Sequence, residues 1–403
     1  MGVVNNKKAN KPVDTKHKFV VKIKPPYELK IKVIEFTWQS GITAAREKQP
    51  ISSPHWSEAT SATIPEEEKI AIQHYDTGSK KPGVYLIKDK GADTAEIKLN
   101  IHLVDPDGEL TDKKYTVRGS LGDLKMQSTE SFVIASGIKT LTMKLTLPDA
   151  LTHIEGDITL QAIPEEHNRG LKPIENTPRL EAFVIYDKPM AFYSTGVWVE
   201  AMRLMFKKAG VAGLKQPDDI SAKVTAYCHS EHGMTYDTKD GMARFMSSEL
   251  GGNFTLFDYI KKTNPNNVPL TIVNCYDQAA AVQAFSGCLG VEVKWKYQEP
   301  FGYIKTTNLV GVGPCNNPFG SSPVVADNDP DREPFGNHAF VETNVSIYIR
   351  DACAGPHNEM ESLRSYLDAS IDTSRTVGLN SSAAYLDYLL TTTQTTPGVT
   401  SVS

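Results

Sequence analysis

The interpretation of the second half of the chain starts from one stretch: Val273-Asn274-Cys275-Tyr276-Asp277-Gln278-Ala279-Ala280-Ala281-Val282-Gln283-Ala284-Phe285. Its alanine-rich run is a strong helix former. Asn274 is a preferred N-cap residue, and Asp277 suits the positive end of the helix dipole. The pattern predicts a helix that begins at Cys275, where free backbone N–H groups favour a thiolate and can bind an oxyanion. The alternative at this point is an inert, buried cysteine.

A histidine and an aspartate occur on two later strands. The strand patterns are Gly336-Asn337-His338-Ala339-Phe340-Val341-Glu342 and Ile347-Tyr348-Ile349-Arg350-Asp351. A hairpin centred between Asn344 and Val345 would place His338 directly opposite Asp351, with Cβ atoms about 4.5–5.5 Å apart. The carboxylate could then hold one imidazole nitrogen and leave the other for a thiol. A register change of one residue would put the two side chains on opposite faces.

The order Cys, His, Asp, on a helix start and two adjacent strands, resembles the transglutaminase-like branch of the papain-type cysteine enzymes. The resemblance covers roughly 193–356 and includes three more segments: Gly233-Met234-Thr235-Tyr236-Asp237, Gly290-Val291-Glu292-Val293 and Asp351-Ala352-Cys353. It implies Cys275 as the nucleophile, His338 as the general base and acid, and Asp351 as the orienting carboxylate. Tyr276 and Ala339 stand where the family has tryptophans, so the resemblance does not specify a substrate.

The activity that the resemblance implies is acyl transfer through a thioester on Cys275. Water resolves such a thioester to a hydrolysis product, whereas a lysine amine yields an isopeptide bond. The first interpretation is a protease, amidase or deamidase that acts on a protein or peptide amide. The alternatives are a cross-linking transglutaminase and a catalytically inactive binding or structural protein. The backbone N–H of Cys275 is the expected oxyanion donor, with the side chains of Asn274 and Gln278 as support.

The first half of the chain has the alternation of half-buried strands. The series are Phe19–Ile23, Leu29–Val33, Ile97–Leu103, Leu141–Leu147, Ile158–Ala162 and Leu180–Tyr186. Many short strands without intervening helices favour a β-sandwich. The predicted fold class is therefore mixed: an N-terminal all-β, sandwich-like region followed by an α+β transglutaminase-like (papain-like) domain. We find no catalytic constellation in the β-rich region and expect it to serve recognition, or to dock a delivery partner.

The hydrophobic period changes to that of helices near Tyr193. Helices are predicted from Val197 to Gly210, after Pro217, over Met242–Leu250 and over Thr255–Lys262. The chain then divides into a flexible basic N-terminus (1–15), a β-rich domain that may comprise two modules (16–190), a catalytic domain (191–378) and a Ser/Thr-rich tail (379–403). We expect the last dozen or so residues of that tail to be disordered.

The composition argues against several classes of protein. Among the 403 residues the net charge is −5, which argues against a basic nucleic-acid binder. No apolar run approaches the ~18 residues of a membrane span. The five cysteines lack a CxxC pair, which predicts free thiols. Because the N-terminus lacks the apolar core of a secretory signal, we expect a cytoplasmic protein or export by a non-classical machine.

Two clusters have metal-ligand residue types in an unsuitable spacing. His229 and His232 are too close for an HExxH motif. The acids at 327, 329 and 331 resemble the start of a calcium loop, but Arg332 occupies the glycine position. We therefore predict no metal and no cofactor. The long, polar, Pro-rich segment 313–334 lies just before His338 and is expected to gate the cleft.

Overall fold

The structure, a computed structural model, describes residues 30–39, 41–46, 49–51, 55–57, 82–105, 113–166, 170–175, 177–262, 271–375 and 381–403. The basic N-terminus (1–15) and the strand predicted at Phe19–Ile23 lie outside these residues. The remaining predicted segments can be compared, in whole or in part, with observed ones.

Among the described residues up to 185, the regular secondary structure consists of β-strands. They are β1 (Lys30–Gln39), β2 (Ala44–Arg46), β3 (Gln49–Pro50), β4 (His55–Ser57), β5 (Gly83–Leu86), β6 (Thr94–Val104), β7 (Lys114–Leu121), β8 (Leu124–Ser128), β9 (Phe132–Val133), β10 (Gly137–Thr146), β11 (Thr152–Pro164), β12 (Lys172–Pro173) and β13 (Arg179–Ile185). The alternation in β6 follows its burial, since Ile97, Leu99, Ile101 and Leu103 are all at most 1% exposed.

Eleven of these strands form one connected sheet with the order β4-β1-β6-β10-β8-β7-β11-β13-β5, in which β12 joins β11 and β9 joins β7. Its inward side chains make one hydrophobic cluster. Glu175, just after β12, exchanges backbone hydrogen bonds with Ile31 and Val33 of β1. The sheet therefore curls until β1 meets the strand pair β11–β12 and encloses its core.

Helices enter the fold after residue 198. They are α1 (Val199–Leu204), which continues as a π-helical turn over Met205–Ala209, α2 (Pro217–Ser230), α3 (Leu256–Lys262), α4 (Cys275–Cys288), α5 (Leu363–Ser370), a 3₁₀ turn (Thr373–Arg375) and α6 (Ser382–Thr392). The strands are β14 (Val197–Trp198), β15 (Thr235–Tyr236), β16 (Gly251–Phe254), β17 (Ile272–Val273), β18 (Val293–Gln298), β19 (Thr307–Leu309), β20 (Gly313–Cys315), β21 (His338–Thr343), β22 (Ile349–Arg350), β23 (Gln394–Thr396) and β24 (Gly398–Val402).

The helix α4 is the centre of this second half. It packs against β21 and β18 of the antiparallel sheet β22-β21-β18-β23. Every residue of α4 except Tyr276 is buried. A helix that is buried on all sides has no solvent face on which to place charged residues, which explains its alanine-rich composition.

Two predictions about the second half are wrong. Residues 242–250, predicted to be helical, form bends and turns. The reason is a long-range competitor, because the Asp277 carboxylate accepts the backbone N–H groups of Arg244, Phe245 and Met246. The expected disorder at the C-terminal end is also not observed, since residues 381–403 form α6, β23 and β24.

Strand pairing explains the order of this C-terminal segment. β23 pairs with β18, and β24 runs parallel to β16. Val399 and Val402 are 4% and 8% exposed. Threonine and valine favour strands when a sheet edge is available to pair with. Polar composition alone therefore misjudged this segment.

A buried ion pair joins the curled sheet to α1. Glu181 of β13 is fully buried and accepts hydrogen bonds from the Arg203 guanidinium. His153 of β11 contacts the same carboxylate at 2.9 Å.

Among the described residues, we find no helix with the length and apolarity needed to cross a membrane.

Candidate active site

The start of α4 is capped as the sequence predicts. Asn274 Oδ1 accepts the N–H groups of Tyr276 at 2.9 Å and Asp277 at 3.1 Å. In return, Asp277 Oδ2 accepts the N–H of Asn274 at 3.2 Å, which completes a capping box. The N–H of Gln278 donates to the carbonyl of Asn274. Of the first-turn amides, the N–H of Cys275 is left without an acceptor among the residues that the structure describes.

Asp277 also fixes the loop that precedes the helix. Its two carboxylate oxygens accept backbone N–H groups of Arg244, Phe245 and Met246, each at 2.8 Å. Burial raises the pKa of Asp277, and these backbone hydrogen bonds oppose that shift. One carboxylate thus holds both the start of α4 and the loop 244–246 in place.

His338 and Asp351 form a buried hydrogen bond. The distance from His338 Nε2 to Asp351 Oδ2 is 2.8 Å, and the two residues are 0% and 1% exposed. Burial alone would raise the pKa of Asp351, but the charge and hydrogen bond of His338 hold it well below its usual range. The carboxylate is therefore an acceptor, and Nε2 carries the proton of this bond.

The hairpin that carries this pair has a different register from the predicted one. Val341 lies opposite Arg350, so the hairpin is centred between Val345 and Ser346. The turn is displaced by one residue, since residues 344–347 rather than 343–346 form it, with Ile347 at a φ of 61°. A shift of two residues preserves the alternation of faces. His338 and Asp351 therefore lie diagonally rather than directly opposite, and still on one face.

The second nitrogen of His338 is unengaged. Nδ1 is buried and has no hydrogen-bond partner among the described residues. Burial by itself would lower the pKa of His338, but Asp351 and the neighbouring Cys275 side chain raise it to about 10. The structure therefore brings Cys275, His338 and Asp351 together, with the imidazole between the thiol and the carboxylate.

Aromatic rings enclose the imidazole. The ring centroids of Phe301 and Phe335 lie 4.6 Å and 5.5 Å from that of His338. Tyr276, directly after the cysteine, donates its hydroxyl to Asn337 Oδ1, directly before the histidine. This bond ties the start of α4 to the start of β21. The sequence contains Tyr276 and Asn337 as neighbours of the predicted pair but does not show that they meet.

Asn274 and Gln278, predicted as oxyanion donors or supports, have their side-chain amides engaged elsewhere. Asn274 Nδ2 donates to the carbonyl of Gly241 at 3.0 Å. Gln278 Nε2 donates to the carbonyls of Cys228 and Ala352. Both side-chain amides therefore bind backbone carbonyls of neighbouring segments, and the backbone N–H of Cys275 is the first-turn N–H without an acceptor among the described residues.

The segment 313–334 folds back over the site. Phe319 packs against Tyr236 at 6.2 Å and Phe335 at 5.7 Å between ring centroids. Arg332 anchors the end of the segment through a buried ion pair with Asp372 at 2.6 Å. Cys275 is 3% exposed.

The two histidines of the candidate metal-ligand cluster already have protein partners. His229 contacts the carbonyl of Asn308 at 2.8 Å, and His232 contacts the N–H of Met234 at 2.9 Å. A group with metal-ligand atoms, formed by the side chains of residues 153, 155 and 181, lies in the curled sheet. Arg203 binds the same buried carboxylate, so this group is satisfied as an ion-pair network.

Comparisons with known proteins were made for the whole chain. No protein-family model matches it, and no curated protein matches it. Among solved structures, the chain is similar to the transglutaminase of red sea bream, with 9% sequence identity and a TM-score of 0.36. The match covers 71% of this chain and 51% of that one, so the chain spans about half the length of that enzyme.

Proposed function

We propose that this chain is a cysteine-dependent acyl-transfer enzyme with a transglutaminase-like catalytic fold that hydrolyses amide bonds of protein or peptide substrates. The observation that carries the proposal is the buried 2.8 Å bond between His338 and Asp351, with the other imidazole nitrogen unengaged beside Cys275. A merely structural histidine at 0% exposure would be expected to satisfy both ring nitrogens.

The arrangement supports the following steps. His338 Nδ1 accepts the thiol proton of Cys275, and the thiolate attacks the amide carbonyl carbon. The backbone N–H of Cys275 stabilises the oxyanion of the tetrahedral intermediate. The C–N bond breaks as Nδ1–H protonates the leaving amine, which leaves a thioester on Cys275. A water molecule, deprotonated by Nδ1, then attacks the thioester and releases a carboxylic acid and the free thiol.

Asp351 acts through the imidazole rather than on the substrate. It accepts the Nε2–H and stabilises the imidazolium that forms in the first step. Its Oδ1 accepts the N–H of Cys353 at 2.8 Å, which holds that oxygen in place. The carboxylate therefore fixes the rotation of the ring and keeps Nδ1 directed away from β22.

The proposal also assigns different roles to the two halves of the chain. Residues 191–378 would form the catalytic domain, and residues 16–190 would form a β-rich domain that recognises the substrate or docks a delivery partner. The buried pair Glu181–Arg203 supports a fixed arrangement of the two regions.

One observation favours cross-linking as a second candidate function. Glu249 and Glu299 are exposed, and their charges act on the hydroxyls of Tyr276 and Tyr297 beside the nucleophile. Burial raises the pKa of Tyr276, and the two negative charges raise it further. An acidic rim of this kind attracts a protonated lysine amine, which becomes the acyl acceptor of a cross-linking reaction once His338 Nδ1 has taken a proton from it.

The test measures the alkylation rate of each of the five cysteines between pH 5 and 8 by peptide mass spectrometry. At pH 6 an ordinary thiol is under about 1% thiolate, so a Cys275–His338 ion pair should react on the order of 100-fold faster. His338→Ala should abolish this advantage. His153→Ala is the matched control, because it removes another carboxylate-paired histidine far from Cys275.

The outcome separates the alternatives. If Cys275 reacts no faster than the other thiols, or ignores His338→Ala, the inactive binding-protein interpretation replaces the enzyme. If it reacts fast, peptide amides are screened with ammonia release and amine incorporation scored separately. Amine incorporation that falls in Glu249→Gln/Glu299→Gln, with hydrolysis unchanged, would select cross-linking.

A further inference from the structure

We propose that Tyr366 is a positioning residue that sets the orientation of the Asp351 carboxylate and, through it, of His338. This inference rests on the proposed function and names a residue outside the segment that resembles the papain-type enzymes. Tyr366 lies on α5, after that segment ends near residue 356.

The contact is direct and fully buried. The Tyr366 hydroxyl donates to Asp351 Oδ2 at 2.9 Å, and Tyr366 is 0% exposed. The same oxygen accepts the Nε2–H of His338 at 2.8 Å. The other oxygen accepts the N–H groups of Cys353 at 2.8 Å and Ala354 at 3.4 Å. The carboxylate thus receives four donors, two on each oxygen.

Packing fixes the direction of the hydroxyl. The Tyr366 ring lies 4.7 Å from Phe340 and 4.8 Å from His357, measured between ring centroids. The side chain of Ser362 caps α5 by accepting the N–H of Ser365. Because the Tyr366 ring and α5 are both held in place, the hydroxyl is directed at Asp351 Oδ2.

The chemical consequence concerns the bond between Asp351 and His338. Two donors on Oδ2 hold the carboxylate in the plane that the Nε2–H requires. Without the hydroxyl, Oδ2 keeps the Nε2–H as its donor while Oδ1 keeps its two backbone donors, so the carboxylate plane is held less tightly. The imidazolium then loses its best alignment toward Cys275 and stabilises the thiolate less. His357 also packs against Tyr366, but it is paired with Glu361 at 2.8 Å and therefore does not compete for Oδ2. The thiols of Cys353 and Cys275 are the other titratable groups that act on the Tyr366 hydroxyl.

The experiment compares Tyr366→Phe with Tyr193→Phe in the full chain. Tyr193 is a matched control, because it is buried and its hydroxyl donates to the carbonyl of Ala284 in α4 at 2.9 Å. We expect Tyr366→Phe to slow alkylation of Cys275 at pH 6 by about tenfold and to move the acid limb of its pH profile upward, as for the loss of a hydrogen bond to a charged group. Tyr193→Phe should leave the profile unchanged, whatever it does to thermal stability.

A spectroscopic readout separates positioning from general destabilisation. The Nε2–H of His338 should give a far-downfield proton resonance in ¹⁵N-histidine-labelled protein, which Tyr366→Phe shifts and Tyr193→Phe does not. If Tyr366→Phe does not fold, a fluorinated tyrosine at 366 keeps the ring and changes the acidity of the hydroxyl. That substitution should shift the same resonance and the pH profile.

The two proposals fail in different ways. If His338→Ala slows Cys275 but Tyr366→Phe reproduces the wild-type profile and resonance, the positioning role is refuted and the enzyme stands. If wild-type Cys275 is no more reactive than the other thiols, the proposed function fails. The His338 resonance then still decides whether Tyr366 orients the pair: a shift supports that role, and an unchanged resonance overturns it.

Discussion

Replacing Arg203 by methionine should destabilise the protein more than replacing any exposed arginine. The Arg203 guanidinium is 4% exposed, and its partner carboxylate on Glu181 is 0% exposed. Arg203 Nε donates to Glu181 Oε1 at 2.9 Å, and Nη2 donates to Oε2. Burial would raise the pKa of Glu181, but the bonds from Arg203 and His153 lower it overall. The carboxylate is therefore charged at neutral pH and depends on Arg203.

The size of the effect follows from this dependence. Arg203→Met leaves a buried charge without its main partner, which costs about 3–5 kcal/mol of unfolding free energy. Urea denaturation at pH 7, followed by tryptophan fluorescence, measures the loss. Because the pair lowers the pKa of Glu181 below its ordinary 4.5, its contribution is present above that pH and is lost as the pH falls. The gap between variant and wild type should therefore narrow at acidic pH.

Two further variants test whether the loss of stability comes from the unpaired buried charge on Glu181. Arg179→Met removes a guanidinium that is 50% exposed and paired with Glu155 at 3.2 Å, so it should cost less than about 1 kcal/mol. The double variant Glu181→Leu/Arg203→Met removes both charges and should recover most of the loss, to within about 1–2 kcal/mol of wild type. A loss below about 1 kcal/mol in Arg203→Met would refute the reasoning, because it would mean that water reaches Glu181.

Two other predictions concern the candidate site. The raised pKa of His338 means that its pairing stabilises the fold fully below pH 6.5 and that this contribution is lost as the pH rises toward about 10, whereas the lowered pKa of Asp351 makes its contribution disappear below 3.8. The melting-temperature difference between wild type and His338→Ala should thus be largest between pH 3.8 and pH 6.5. A melting-temperature difference that widens above pH 7 would contradict the pairing. Phe319→Ala should speed alkylation of Cys275 by a bulky maleimide severalfold and by iodoacetamide much less, with Phe257→Ala as the control. Equal rates for both reagents would show that segment 313–334 does not limit access.

Local signals explain why the start of α4 was predictable. An N-cap and its capping-box partner lie three residues apart, and the alanine-rich run follows at once. The shared face of His338 and Asp351 was also predictable, because the alternation of a strand survives an even shift of register. The exact register was not, since it depended on a four-residue turn that includes Ile347 at positive φ.

Long-range contacts explain what the sequence did not reveal. Residues 242–250 have a helical pattern but do not form a helix, because the Asp277 carboxylate binds backbone N–H groups of this segment. Asp277 lies more than 30 positions away from those N–H groups in the sequence. Tyr366 had no signal as a partner of Asp351, because nothing in an amphipathic helix indicates which buried hydroxyl meets a carboxylate. The strands β23 and β24 looked like a disordered polar segment because their pairing partners lie far earlier in the chain.

The position of β24 has a consequence for protein synthesis. Its Val399 N–H donates to Gln283 Oε1 of α4 at 2.7 Å, and the two residues are 116 positions apart. At about 5–20 residues per second, roughly 6–23 s pass on the ribosome between the synthesis of Gln283 and that of Val399. During this interval α4 and β18 exist without the strands that complete their surroundings. The surroundings of α4 are therefore completed only after Val399 has been synthesised, and α4 cannot reach its final packing before then.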